Sequence, residues 1–362
     1  MIKETDVVII GGGPAGLSAA LALGQTDLKV LLLERDPFLG GQLVKQTHMF
    51  FGSREEYAGV RGFEIGNLLS ESVKKFNNIE ISFDTTACGY YNEEDMLLAV
   101  HNDEELIRIK FKKVIVATGA SERALLFENN DLPGIYGAGA VQTLMNLYGV
   151  LPGKEVVMVG SGNIGLIISY QLVQAGAKVK AIVEAAPKVG GYFVHAAKAS
   201  RLGIPIYTKT TVKRAFGKNE LEGVEIISLD KDWNEIPGTE RKIDCDTLCL
   251  AVGLSPLTEL LWQFGCKMRY IPELGGHIPI RDGNLMTTNK DVYIAGDVAS
   301  IEEATSAMLE GTIAAVSVSE SLNCANAELL ELRDKAFKKL FDLRNGPTGE
   351  KILSGIKKLE EE

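Results

Sequence analysis

Apolar and polar positions divide this chain into short runs punctuated by glycine. Val7-Val8-Ile9-Ile10 is an apolar run that ends in Gly11-Gly12-Gly13. A helix-forming stretch follows from Pro14, and Leu28-Lys29-Val30-Leu31-Leu32-Leu33 reads as the next strand, ending at Glu34. Strand, turn, helix and strand make a βαβ unit over residues 6–34. The same order returns later. Val156-Val157-Met158-Val159 leads into Gly160-Ser161-Gly162-Asn163-Ile164-Gly165, a helix is predicted over 164–175, and a strand over 177–183 ends at Glu184.

Both turns carry Gly-x-Gly-x-x-Gly, as Gly11, Gly13, Gly16 and as Gly160, Gly162, Gly165. The pattern is informative because each copy sits between a strand and a helix. The first glycine permits the tight turn, the second lets backbone approach a pyrophosphate, and the third lets helix and strand pack closely. Free N–H groups and the helix dipole then favour the diphosphate at the helix start. Glu34 and Glu184 stand where an acid accepts hydrogen bonds from ribose hydroxyls.

Between the two units the pattern predicts a helix over 63–76 and short strands over 80–87, 96–101 and 106–112 in a small antiparallel layer. An apolar strand then meets a tight turn at Ala117-Thr118-Gly119-Ala120. A short helix is predicted over 139–147. Strands follow near 206–215, 221–229 and 243–252, the last ending in Ala251-Val252-Gly253, an echo of Ala117-Thr118-Gly119. These two turns read as the crossings into and out of an inserted domain. A strand ending Ala295-Gly296-Asp297 and a helix over 304–322 close the pattern. The charged tail over 325–362, broken at Gly346-Pro347, reads as a solvated or docking helix.

The fold class is therefore α/β: two Rossmann-like three-layer dinucleotide-binding domains, one inserted into the other. The expected boundaries are 1–120 and 253–322 for the outer domain, 121–252 for the inserted one, and 323–362 for a helical tail.

Composition narrows the function. The chain has 362 residues and a formal net charge of -10, which disfavours general attraction to nucleic acid or anionic membrane. No apolar run reaches membrane-spanning length, and a strand starting close to Met1 leaves no room for a signal peptide. A cytoplasmic location is expected. Of the five cysteines, Cys88, Cys245, Cys249, Cys266 and Cys324, none forms Cys-x-x-Cys. Cys245 and Cys249 have even spacing, which on one strand places them on one face as buried thiols. His101, His195 and His277 have no partners at ligand spacing, and no metal site is indicated.

With four motifs in order, Gly11–Gly16 with Glu34, Ala117-Thr118-Gly119, Gly160–Gly165 with Glu184, and Ala295-Gly296-Asp297, the chain resembles the pyridine nucleotide-disulfide reductase superfamily over about residues 5–322. The resemblance implies FAD at the first turn and a nicotinamide dinucleotide at the second. It assigns Gly11, Gly13, Pro14, Ala15, Gly16, Glu34, Arg35, Ala117, Thr118, Gly119, Gly296 and Asp297 to the flavin site, Asp297 at the ribityl or pyrophosphate region, and counts Gly253 as a further cofactor-binding residue. It assigns Gly160, Gly162, Asn163, Ile164, Gly165 and Glu184 to the second. Gly40-Gly41-Gln42-Leu43 is similar to the thioredoxin reductase branch, where this loop runs beside the flavin. That makes Gly41 and Gln42 cofactor-binding residues of the loop and brings Thr47 and His48 near the ring, with His48 as a candidate proton carrier.

The departure from that family is chemical. Neither the loop 40–47 nor the turn 160–165 holds a cysteine, and without a thiol there is no sulfur relay. Among relatives lacking that relay, the chain looks most like the FAD/NAD-binding subunits of multicomponent amine and amino-acid dehydrogenases. These include the alpha subunits of sarcosine oxidase and dye-linked proline dehydrogenase, opine oxidases and hydrogen cyanide synthase. The match is carried by Ala117–Arg123, Leu132-Pro133-Gly134-Ile135-Tyr136, and Gly296-Asp297 followed by Ile301 and Glu310-Gly311. Such relatives often continue into a cysteine-rich iron–sulfur region, not expected here after Cys324.

The implied reaction is hydride transfer between NADH and FAD, with Glu184 favouring NAD over NADP and Lys188 opposing that preference. The expected partner is a second oxidoreductase subunit or electron acceptor in a homo- or hetero-oligomer. A stand-alone NADH:acceptor oxidoreductase and a nucleotide-binding module without hydride exchange are the alternatives.

Overall fold

The computed structural model describes residues 2–346 and 349–360. Its helices are α1 (Pro14–Leu23), α2 (Gly62–Val73), α3 (Ala138–Asn146), α4 (Asn163–Gln174), α5 (Phe193–Arg201), α6 (Glu259–Gln263), α7 (Ala304–Ser321), α8 (Ala327–Arg344) and α9 (Glu350–Glu360). The chain divides into two compact units, Met1–Ser121 with Leu254–Glu362, and Glu122–Gly253.

The first unit is built on a five-stranded sheet in the order Val292–Ile294, Lys113–Val116, Val7–Ile10, Val30–Leu33, Ile79–Ser82. Neighbouring strands are all parallel. Side chains alternate across it, as strand geometry requires. Val7 and Ile9 enter a core with α1 residues Leu17, Ala20 and Leu23 and α7 residues Ile313 and Val316. Val8 and Ile10 enter a second core with Leu97, Ala99, Ile107 and Ile109. Those last residues belong to a sheet in the order Ile2–Glu4, Glu105–Lys110, Met96–His101, Thr85–Tyr91. Helices, parallel sheet and mainly antiparallel sheet thus make three layers.

The second unit repeats the plan. Its parallel sheet runs Ile135–Gly137, Thr247–Leu250, Glu155–Val159, Lys178–Val183, Ile206–Tyr207. Val156 and Met158 pack with Leu166, Ile168 and Leu172 of α4. Val157 and Val159 pack with Val212, Val224 and Ile226 of an antiparallel sheet formed by Thr210–Phe216, Gly223–Ser228 and Arg241–Asp244.

Three expected strands are corrected, each for one reason. The runs 80–87, 206–215 and 243–252 each supply two strands to two different sheets. Ile79–Ser82 joins the parallel sheet and Thr85–Tyr91 the antiparallel one. Asp84 between them takes φ 47°, which breaks the run. Cys245 and Cys249 consequently do not share a face. Cys245 lies outside the strand Thr247–Leu250 and packs with Val212 and Leu221, while Cys249 packs with Val156 and Leu166 on the other side of the sheet. Both are buried thiols.

The tail forms α8 and α9. Asn326 caps α8 by accepting from Leu329 N–H at 2.9 Å, and Leu329, Ala336 and Leu340 are buried in the core that contains α1 and α7. Helix α9 buries Ile352 and Leu359 against Ile271, Leu274 and Ile278. Arg269 donates to the carbonyls of Lys358 and Leu359 at 2.8 and 3.1 Å, satisfying acceptors at the helix end. Of the expected break at Gly346-Pro347, Pro347 lies outside the described residues.

Candidate functional site

At the first turn, strands Val7–Ile10, Val30–Leu33 and Lys113–Val116 end side by side, with Ile10 opposite Leu33 and Val116. The chain order reverses between the first and third of these, the place where open parallel sheets bind ligands. Gly11 leaves its strand with φ 106°, and a Cβ there would lie 2.4 Å from the Ala117 carbonyl oxygen. A Cβ on Gly16 would lie 1.8 Å from the Gly11 oxygen. Backbone contact therefore requires these two glycines. Gly13 is different, because the nearest atom to a Cβ there would be Gly41 Cα at 3.9 Å. Space is left beside this backbone. Gly13 caps α1 with no side-chain hydrogen bond, and Pro14 occupies the first turn.

Glu34 is buried and clasps the turn. One oxygen accepts from Gly12 N–H at 2.7 Å and the other from Asp36 N–H at 2.9 Å. Burial raises its pKa against those two donors. The following loop closes on the turn: Gly40 N–H donates to the Gly12 oxygen at 2.8 Å, and a Cβ on Gly41 would lie 2.8 Å from Gly13 Cα. Arg35 and Gln42 are exposed, Thr47 is half-buried, and the Thr47 carbonyl accepts from Arg61. The His48 ring stacks on Phe50 with centroids 6.0 Å apart.

The other side of this site is the Gly296 turn. Gly296 has φ 79°, a Cβ there would lie 3.0 Å from Ala15 Cβ, and its N–H donates to Glu310 at 2.8 Å. Asp297 follows and accepts from Glu302 N–H at 3.3 Å. Burial, with Glu310, Glu302 and Glu303 nearby, pushes its carboxyl up to about 7. Thr118 Oγ1 donates to the Leu257 carbonyl at 2.8 Å, and the Gly119 carbonyl accepts from Leu257 N–H at 3.0 Å.

The second turn has the same construction. A Cβ on Gly160 (φ 99°) would lie 2.2 Å from the Ala251 oxygen, and one on Gly165 would lie 2.2 Å from the Gly160 oxygen. A Cβ on Gly162 would meet nothing within 4 Å. One oxygen of Glu184 accepts from Ser161 N–H at 2.8 Å and Ser161 Oγ at 2.6 Å, and the other from Ala186 N–H at 2.8 Å. Asn163 Oδ1 accepts from Tyr192 N–H at 2.8 Å, and Ile164 is 42% exposed. Gly253 takes φ 108° and its carbonyl accepts from Arg123 N–H at 3.0 Å.

The sequence reading missed Gly190 and Gly191. Gly191 N–H donates to the Ser161 oxygen at 2.8 Å and Gly190 N–H to Ser161 Oγ at 3.2 Å, the counterpart of Gly40 at the first turn. The signal was present. Glu34-Arg35-Asp36-Pro37-Phe38-Leu39-Gly40-Gly41 and Glu184-Ala185-Ala186-Pro187-Lys188-Val189-Gly190-Gly191 share Glu-x-x-Pro-x-x-Gly-Gly.

No cysteine joins either site. Cys245, Cys249 and Cys266 are buried, and burial raises each thiol's pKa, that of Cys245 to about 12. Cys88 and Cys324 are exposed. No helix among the described residues is long and apolar enough to cross a membrane.

The chain is 27% identical to an opine oxidase subunit of Rhizobium meliloti (strain 1021) over 90% of its own length and 73% of that protein. It is 27% identical to the alpha subunit of sarcosine oxidase from the same organism over 88% of its length, but spans only 30% of that longer chain. The fold matches T. acidophilum thioredoxin reductase with a TM-score of 0.72 and 24% identity, covering 88% of this chain and 99% of that one. The family model described as pyridine nucleotide-disulphide oxidoreductase matches residues 5–311. The chain therefore belongs to the pyridine nucleotide-disulphide oxidoreductases, FAD-dependent enzymes that work with a nicotinamide cofactor.

Proposed function

We propose that the first unit holds FAD, that the second holds a nicotinamide dinucleotide, and that the protein moves a hydride between them as the flavoprotein subunit of a multicomponent amine or amino-acid dehydrogenase. One observation carries the reading. Both glycine turns are closed by backbone at their first and third glycines and open at the middle one. That pairing leaves room for a diphosphate while keeping helix and strand in contact.

When bound, the two cofactors supply the hydride chemistry at flavin N5 and the nicotinamide ring. The chain's own part is to bind and orient. The N–H groups at the start of α1 and α4 meet the diphosphates. Glu34 and Glu184, each fixed by main-chain donors, offer their remaining lone pairs to ribose hydroxyls. Asp297 addresses the ribityl or pyrophosphate region, and Thr47 and His48 lie toward the ring, His48 as a proton carrier. Glu184 repels a 2′-phosphate and so selects NAD, although Lys188 belongs to the same loop. Sulfur takes no part, since neither glycine loop carries it. The names of the relatives, both subunits of oxidases, support an electron partner on another chain.

The test is an anaerobic titration of the purified holoprotein. NADH is expected to bleach the flavin's yellow band, and NADPH to do so less well. If neither nucleotide bleaches it, the second site is a binding module without hydride exchange. Co-purification of a second flavoprotein distinguishes a complex from a stand-alone reductase.

A further inference from the structure

Helix α8 lies outside the residues matched by the family model, which end at 311. Its last residue, Arg344, nevertheless reaches the Asp297 turn. Arg344 Nη2 donates to Glu302 Oε1 at 2.5 Å and to Glu310 Oε1 at 2.6 Å, and Nε donates to Glu302 Oε2 at 3.2 Å. The three side chains are 11%, 10% and 1% exposed for Arg344, Glu302 and Glu310.

Each glutamate holds a different part of one turn. Glu310 accepts from Gly296 N–H at 2.8 Å, at the start of the turn. Glu302 lies at its end, where its backbone N–H donates to Asp297 Oδ1 at 3.3 Å and its carboxylate accepts from Ser300 Oγ at 2.7 Å. The guanidinium fork thus joins the two ends of the segment that presents Asp297. A planar, five-donor cation is suited to two carboxylates at once, which an ammonium is not. Arg281 adds positive charge near Glu310 and Glu302, and its Nη1 is buried with no hydrogen-bond acceptor among the described residues.

The same helix also holds a second loop. Lys339 pairs with Glu55 at 2.6 Å and with Glu56 at 3.0 Å, in the segment that follows Thr47 and His48. This outer pair is more exposed, with Lys339 35% and Glu55 72% exposed, so it is weak. The inner cluster is buried, and removing one member leaves an uncompensated charge, a large effect.

We propose that Arg344 is a positioning residue of the flavin site: through Glu302 and Glu310 it sets the Gly296–Asp297 turn, which makes α8 a structural part of the flavin cradle. The proposal rests on the reading of the first unit as the FAD site. A residue that merely stabilised the fold would lower the melting temperature and leave the affinity of folded protein for FAD unchanged. A positioning residue lowers that affinity beyond any loss of stability.

Four variants of the full chain separate these cases: Arg344→Met, Arg344→Lys, Glu302→Gln, and Leu340→Ala, which loosens the packing of α8 and leaves the charges in place. For each apoprotein, the melting temperature and the FAD dissociation constant from quenching of flavin fluorescence are measured. Arg344→Met is expected to weaken FAD binding by about tenfold or more, the scale of one lost charged hydrogen bond, with Arg344→Lys and Glu302→Gln between it and the parent. Leu340→Ala is expected to lower the melting temperature with FAD affinity near the parent's. The visible flavin spectrum should change in Arg344→Met and not in Leu340→Ala. Parent-like FAD affinity in Arg344→Met overturns the proposal. Should that variant not fold, parent-like affinity in both Arg344→Lys and Glu302→Gln overturns it equally. A parent protein that takes up no FAD refutes the flavin reading itself, an outcome distinct from these.

Discussion

Gly13 and Gly16 lie three residues apart in one motif and have different physical roles. A Cβ on Gly16 collides with the Gly11 carbonyl, while one on Gly13 enters open space. Gly13 also has φ -76° and an extended conformation that alanine adopts without strain. Gly13→Ala should therefore leave apoprotein stability within about 0.5 kcal/mol of the parent and abolish tight FAD binding. Gly16→Ala should destabilise by about 1–3 kcal/mol or more through overpacking. Urea unfolding and FAD titration of the two variants check both halves. Asp297 gives a prediction in pH. Its carboxyl is pushed up to about 7 from an ordinary 3.8. Between those values the unfolded chain has released this proton and the folded protein keeps it, so stability falls as pH rises through the window. Asp297→Asn should flatten the decline in apoprotein melting temperature between about pH 4 and 7. An identical decline in the variant would remove Asp297 as a source. At this scale the glycine spacing was legible because backbone collisions demand glycine. That Glu34 and Glu184 also clasp their own turns was not, because their donors, Gly12, Asp36, Ser161 and Ala186, are set by loop conformation.

Among the elements, α1 and α7 meet at Gly311, where a Cβ would lie 2.0 Å from the Ala15 oxygen. Gly311→Ala should force these helices apart, lower the denaturation midpoint, and weaken FAD binding if α1 opens at the diphosphate as proposed. A parent-like midpoint would show that the helices relax without consequence. The strand corrections belong here too. Apolar alternation continued through 80–87, 206–215 and 243–252, yet in each case the chain changes sheets partway. Local pattern registers burial and not which sheet supplies it, and so Cys245 and Cys249 read as one face when they occupy opposite ones. The docking of α8 was legible only as helix propensity. Its apolar stripe of Leu329, Ala336 and Leu340 is sparse, and the partner of Arg344 could not be identified from spacing.

For the molecule as a whole, the second unit is one continuous segment, 122–253, with cores on both sides of its sheet. Expressed alone, this segment is expected to unfold cooperatively and bind NADH. A non-cooperative melt by circular dichroism would refute its independence. The first unit is discontinuous: Val292–Ile294 must pair with Lys113–Val116 across the inserted segment. Long closure of this kind slows folding. The proposal that sulfur takes no part is also tested on the whole chain. A Cys88→Ser, Cys324→Ser double variant removes both exposed thiols and should retain NADH-driven bleaching of the flavin. Loss of bleaching without loss of FAD would reinstate a thiol.

The amino-acid sequence by itself determined the two glycine turns, the acid that ends the strand after each, the absence of cysteine from both, and the order in which one unit interrupts the other along the chain. These follow from local rules: glycine where backbone meets backbone, apolar runs where strands are buried, and cysteine either present or absent. Tertiary structure alone decided which sheet each half-strand joins and that Arg344 stands over Glu302 and Glu310. Those contacts join residues tens of positions apart or more, and the energy that selects them lies in packing and in the pairing of buried charge, which short-range spacing does not encode.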